Sequence, residues 1–282
     1  MVVQKKRFAL ILCLIGLVLH AQHNTGDALA LQSTVHKKRA WKIKDCFAAQ
    51  AIRDIVSLHQ YIFHWDTLKV ISTTFPAYIL LRMFDNDIQS AFYHGHCLKQ
   101  CHKDVHQAPY WCAKIAQYSV ALPVLVMFGS LFVGDVPFKT TSWIFLLGMP
   151  FVVFGKDVFK KVRFDAAQRP WREQFGSEKR AFGGFPSGHM AESTYLAVLY
   201  GLRYGVRAAG PLAVASTFLG VTFLNCNRHY ASQIIAGAGI GTIFALSANK
   251  VIEAKLSHAQ PIEMNLDVSS KGSPALSIGW SF

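Results

Sequence analysis

A hydroxyl, a glycine and an imidazole follow one another at Ser187, Gly188 and His189, inside the stretch "FGGFPSGHMAEST" that runs from Phe182 to Thr194. Pro186 suits the first turn of a helix, where its missing N–H would have had no partner anyway. Ser187 and Gly188 then present a hydroxyl and unshielded amides at the positive end of the helix dipole, an arrangement that receives anions and phosphate above all. His189, in the same turn, is placed to exchange a proton with whatever is bound. The same residues also describe an ordinary helix start with a solvent-facing histidine, so the rest of the chain decides between the two.

Two further stretches supply what phosphoryl chemistry would need. "QRPW" contributes Arg169 and Pro170, with Lys161 and Arg163 just upstream in the cation-crowded polar connection 159–185. "CNRHYASQIIAGAGIG" contributes His229, then Gln233 at helical spacing, then a helix of small residues. A phosphoryl group in transfer spreads charge over three equatorial oxygens, so catalysis is mainly positioning plus cations. Arginine offers a planar fork for two oxygens and lysine a point charge. Two histidines divide the work only if one begins neutral and the other protonated. A helix N-terminus makes His189 more acidic, and a bound anion offsets that.

These residues must be positioned by helices. Apolar segments lie near 67–84, 118–134, 141–158, 191–204, 209–226 and 232–250. Their length and small-residue texture fit membrane-spanning helices or the buried helices of an all-α core. Segment 67–84 carries Lys69 and Arg82, and 191–204 carries Glu192 and Arg203, so these two are the poorest candidates for spans. The chain of 282 residues is 52% apolar and 16% charged, which suits one helical domain or a small polytopic membrane protein and excludes disorder. Its formal charge of +13 points to anionic partners. The basic residues are scattered without a recognition motif, so nucleic acid is not expected.

The opening "MVVQKKRFALILCLIGLVLHAQ" pairs a basic Lys5-Lys6-Arg7 with a short apolar run. It reads as a secretory signal, with a first membrane helix or an uncleaved anchor as the alternative. In "FYHGHCLKQCHKDVHQAPYWC", Cys97, Cys101 and Cys112 alternate with His94, His96, His102 and His106. A disulfide, free thiols and a metal site are all open readings, but the spacing matches no familiar zinc finger and no metal is assigned. The tail alternates Ile262, Met264, Leu266 and Val268, turns through Gly, Ser and Pro, then alternates Leu276, Ile278, Trp280 and Phe282, which is a β-hairpin pattern.

A cationic loop, then Pro-Ser-Gly-His, then a downstream histidine leading a Gly/Ala-rich helix resembles the type 2 phosphatidic acid phosphatase/haloperoxidase superfamily, over roughly residues 120–250. The resemblance implies a helical bundle that hydrolyses a phosphomonoester without a metal. It implies that Lys161 and Arg169 bind phosphate, although one extra residue separates them relative to the family. It also implies that Ser187 and Gly188 hold phosphate, that His189 protonates the leaving oxygen, and that His229 attacks phosphorus to form a phosphohistidine. The haloperoxidase branch is disfavoured, since vanadate sites of that kind need the full set of cations.

The third motif departs from the family twice. Phe223 stands where the family has an arginine, six residues before the nucleophile, and Gln233 where it has an aspartate, four residues after. On a helix, Arg228 would lie about 100° around from His229 and replace that arginine poorly. Arg163, Lys179 or Arg180 are then the expected sources of the missing cation. Gln233 can accept the ring N–H and fix the tautomer but cannot stabilise the imidazolium. Restoring Asp at 233 and Arg at 223 is therefore expected to raise turnover.

The expected fold is an all-α, membrane-embedded helical bundle of that family's type with a short C-terminal β-hairpin. Its expected organisation is a signal peptide or anchor at 1–30, a helical lead-in with the Cys/His-rich loop at 31–117, a phosphatase-like domain at 118–255 and the hairpin tail at 260–282. The expected function is metal-independent hydrolysis of a lipid phosphate or small phosphomonoester in the cell-envelope membrane, with the site on the exported side and no cofactor. The alternative is an inactive relative that binds anionic headgroups as an envelope structural protein.

Overall fold

The computed structural model describes residues 47–92, 110–160, 164–170, 182–257, 262–268 and 274–280. The described body is all-helical: α1 (Phe47–Ile62), α2 (Trp65–Met83), α3 (Asp85–Phe92), α4 (Tyr110–Ser130), α5 (Val136–Lys160), α6 (Gly188–Tyr204), α7 (Val206–Asn225) and α8 (Ala231–Ser257). In the tail, β1 (Ile262–Val268) pairs antiparallel with β2 (Pro274–Trp280), bringing Asn265 opposite Ser277. The signal-like stretch, the cysteines and histidines between 94 and 106, and Lys161, Arg163, Lys179 and Arg180 lie outside the described residues.

Within the described residues three helices are long and apolar enough to cross a membrane: Val136–Gly155 in α5, Val206–Asn225 and Ala231–Ser257. A hydrocarbon core about 30 Å thick needs about 20 residues of helix, and all three meet that length. The chain is accordingly a membrane protein. Its outer surface agrees, because Leu68, Phe75 and Leu80 on α2 and Leu122, Leu125 and Phe128 on α4 all stand exposed. Water would penalise a greasy outer face of this extent, whereas lipid would not.

Helix α8 is the axis of the bundle, packing against α6, α2, α1 and α5. Its small residues make this possible. A Cβ on Gly237 would overlap the carbonyl of Ser187, and one on Gly241 that of Ala191. Backbones can approach this closely only where no side chain intervenes. Both contacts advance together along α6 and α8, so the two helices run parallel and begin at the same end. Between them α7 returns, after a tight turn at Gly205 with φ +73°.

The lead-in helices belong to this bundle. Asp54 of α1 is buried and accepts from Lys255 Nζ at 2.8 and 2.9 Å and from Trp143 Nε1 at 3.0 Å. An ion pair taken out of water needs such full hydrogen bonding. It ties α1, α5 and the C-terminal end of α8 together, far from the end where α6 and α8 begin.

Candidate active site

The starts of α6 and α8 and the segment 164–170 meet at one end of the bundle. Pro186 does not sit within the first turn as its type suggested. Helix α6 starts at Gly188, Ser187 is its N-cap, and Pro186 precedes the cap. Ser187 N is already committed to Gln233 O at 3.0 Å, so the chain can enter the helix only after it. The Ser187 side chain makes no capping bond, and its Oγ is fully buried without a partner among the described residues. The next N–H groups of the turn have no partner within the helix by construction. A buried hydroxyl left open beside them suits an anion.

The "FGGF" residues link this turn to the arginine segment. Gly183 N and Gly184 N both donate to Ala167 O, at 3.0 and 2.9 Å. The Phe185 ring lies edge-on to Tyr78 of α2 and to Phe164, each with centroids 5.6 Å apart. Arg169 reaches across the gap: Nη1 donates to Arg228 O at 3.2 Å and Nη2 to Gly183 O at 3.0 Å. It thus bridges the backbone before Pro-Ser-Gly-His to the backbone before His229.

His229 lies in the connection between α7 and α8. Its Nδ1 is 2.9 Å from Gly184 O and 3.3 Å from Gln233 Oε1. Two facing acceptors put the proton on Nδ1, which leaves the Nε2 lone pair open. Burial holds the ring well below the ordinary histidine value, and the charges of Arg169, Arg228 and His189 push the same way, while the Gly184 bond works against them. The imidazole is therefore neutral around neutral pH.

Gln233 does more than face the ring. Its Oε1 also accepts from Tyr230 N at 3.2 Å, and its Nε2 donates to Ala166 O at 2.9 Å and Gln168 O at 2.7 Å. The amide fits because residue 184 is glycine: a Cβ there would come within 2.6 Å of both amide heteroatoms. A carboxylate at 233 could not donate to those two carbonyls.

Phe223 is fully buried, with its ring 5.5 Å from the His189 ring and 5.5 Å from the His229 ring. The guanidinium of Arg228 sits over the same ring, with Cζ 5.4 Å from its centroid. Ser187, Gly188, His189, Arg169, His229 and Gln233, which the sequence singled out, therefore all line one end of the bundle. The sequence reading missed the Gly184 carbonyl, the placement of Arg228 and the braces from α2 and α3. Asp85 accepts from Ser232 N at 3.0 Å and from its hydroxyl, holding the first turn of α8. Burial pushes the Asp85 carboxyl above its ordinary value, against the pull of Ser232 and Arg82. Gln89 donates to Leu224 O at 2.9 Å and to Asn227 Oδ1 at 2.7 Å. Asn227 has φ +55°, a left-handed conformation that asparagine tolerates and that ends α7 before the histidine.

No curated protein and no solved structure matches the chain. The model of the PAP2 superfamily matches residues 137–256, a span that takes in all three candidate membrane helices, the Pro-Ser-Gly-His turn and the His229 connection. The matched segment, which holds both of the site's histidine motifs, is thus similar to the PAP2 superfamily.

Proposed function

We propose that the chain is a metal-independent phosphatase that hydrolyses a lipid phosphate or related phosphomonoester through a phosphohistidine. The match to the PAP2 superfamily model supports phosphoester hydrolysis in general. The observation that carries the finer reading is the seat of His229, whose Nδ1 proton is engaged by Gly184 O at 2.9 Å so that Nε2 is free to attack.

In this reading the phosphate sits against Ser187 Oγ, the amides that open α6 and the Arg169 guanidinium. Lys161 joins them on the resemblance alone. Nε2 of His229 attacks phosphorus, the N–P bond forms as the ester P–O bond breaks, and His189 gives its proton to the leaving oxygen. Water then attacks the phosphohistidine, passing a proton back to His189. The N–P electron pair returns to Nε2 and inorganic phosphate departs. Positioned cations and amides carry the developing charge, so the chemistry asks for no cofactor. Gln233 shares the Nδ1 proton and fastens the 166–168 segment.

A site at the end of membrane-spanning helices meets its substrate where lipid headgroups lie, which favours a phosphorylated lipid over a wholly soluble ester. The signal-like character of the N-terminal sequence supports a site on the exported side of a cell-envelope membrane. We read the tail at 260–282 as a β-hairpin appended to the 118–255 phosphatase unit.

The test is phosphate release from phosphatidic acid in detergent micelles containing EDTA. Wild type should turn over and His229→Ala should not, whereas His189→Ala should spare esters with activated leaving groups more than poor ones. Equal activity of His229→Ala sinks the phosphohistidine. Loss on chelation that Mg²⁺ or Zn²⁺ restores sinks metal independence. Binding to phosphatidic acid vesicles without phosphate release would instead identify a headgroup-binding envelope protein.

A further inference from the structure

Arg228 is the unexplained charge of the site. Its Nε and Nη1 are both buried, and neither has a hydrogen-bond partner among the described residues. Buried guanidinium donors are ordinarily paired, because each leaves strong hydrogen bonds behind in water. Here the only described support is the face of Phe223, over which Cζ sits at 5.4 Å. A ring face offsets part of the lost hydration and accepts none of the fork's N–H bonds.

The backbone holds this posture. Arg228 N donates to Phe223 O at 2.9 Å, and Arg228 O accepts from Arg169 Nη1 at 3.2 Å. The shelf ring also touches both histidines, at 5.5 Å each. One phenyl ring therefore carries a guanidinium beside the two imidazoles between which a phosphoryl group would pass.

We infer that Arg228 is a phosphate ligand, its unpaired fork carried on Phe223 to stand in for the arginine that the resemblance places at position 223. The inference rests on the reading of this site as a phosphoryl-transfer site. It accounts for two oddities together. An aromatic ring at 223 removes a cation, and a cation five residues later arrives over that ring. Arginine suits the place because its fork can grip two phosphate oxygens and its flat face can lie on phenylalanine, neither of which lysine does.

The probe is inorganic phosphate, with affinity read from its stabilisation of the detergent-solubilised protein against heat and from its inhibition of turnover. Arg228→Ala and Arg228→Lys should each weaken phosphate binding roughly 10- to 100-fold, the loss of a charge-assisted fork. The phosphate-free Arg228→Ala protein should melt no lower than wild type, since it loses two buried N–H donors without described partners. A merely structural arginine would lower that melting point and leave phosphate affinity alone. Moving the charge back, in Phe223→Arg/Arg228→Ala, should recover phosphate affinity relative to Arg228→Ala. Phosphate affinity in Arg228→Ala equal to wild type overturns the inference and leaves the phosphatase reading intact. A wild-type protein that neither binds phosphate nor releases it from substrate overturns both.

Discussion

The carbonyl oxygen of Gly184 lies 2.9 Å from Nδ1 of His229, closer than the 3.3 Å from that nitrogen to Gln233 Oε1. A backbone oxygen, supplied by the residue that precedes Phe-Pro-Ser-Gly-His, therefore sets the tautomer of the histidine from the other motif. The two motifs are coupled through this bond: any shift of the Pro-Ser-Gly-His turn is also a shift of His229's partner.

This changes what Gln233→Asp should do. The carboxylate would keep an acceptor near the ring but lose the amide donors to Ala166 O and Gln168 O. Losing both amide bonds to these half-buried carbonyls costs about 1–3 kcal/mol in stability. We expect the variant to melt lower and to turn over no faster than wild type, as measured on phosphatidic acid in micelles. Faster turnover at an unchanged melting point would return the tautomer-holding role to residue 233.

A pH dependence follows from His229. The native ring is held well below 6.5 by burial and by the surrounding positive groups. The unfolded chain then binds a proton that the native chain refuses, so stability falls as pH drops through 6.5 and is unaffected above it. The loss can reach about 1.4 kcal/mol for each pH unit, down to the native value. Thermal unfolding at pH 7.5 and 5.5 should show this fall in wild type and a smaller one in His229→Asn. Equal slopes in the two proteins would mean that the ring is not held neutral.

Gln89 lies outside the segment matched by the family, yet it fastens the turn that presents Arg228 and His229. Replacing it by Leu, which keeps most of the volume, removes both bonds to Leu224 O and Asn227 Oδ1. Losing these two buried hydrogen bonds should cost about 1–3 kcal/mol of stability. If His229 is the nucleophile we propose, it should also lower kcat more than it raises KM, because that ring loses its seat while the Ser187 side of the cradle stays. A variant with wild-type melting temperature and kcat would show that α8 alone positions the turn.

The sequence by itself determined the helices and singled out the polar groups that the fold gathers at one end of the bundle. Apolar runs at 141–158, 209–226 and 232–250 became α5, α7 and α8, because continuous apolarity of that length dictates a helix whether lipid or protein surrounds it. Pro-Ser-Gly-His marked the start of α6 because the requirements of a helix N-terminus are local. Only the tertiary structure decided which of those groups meet and in what state. The rotation that set Arg228 about 100° away from His229 assumed a continuous helix. The left-handed Asn227 ends the helix first, and the arginine folds back over Phe223 instead. Gly184 O, Asp85 and Gln89 left no local signal, since a carbonyl belongs to every residue and the two side chains act across 135 to 147 positions of sequence. The roles of Asp85 and Gln89 exist only once α3 packs against α7 and α8, and that of Gly184 O only once the turn before α6 meets the connection between α7 and α8, because a hydrogen bond is specified by distance in space and a motif by distance along the chain.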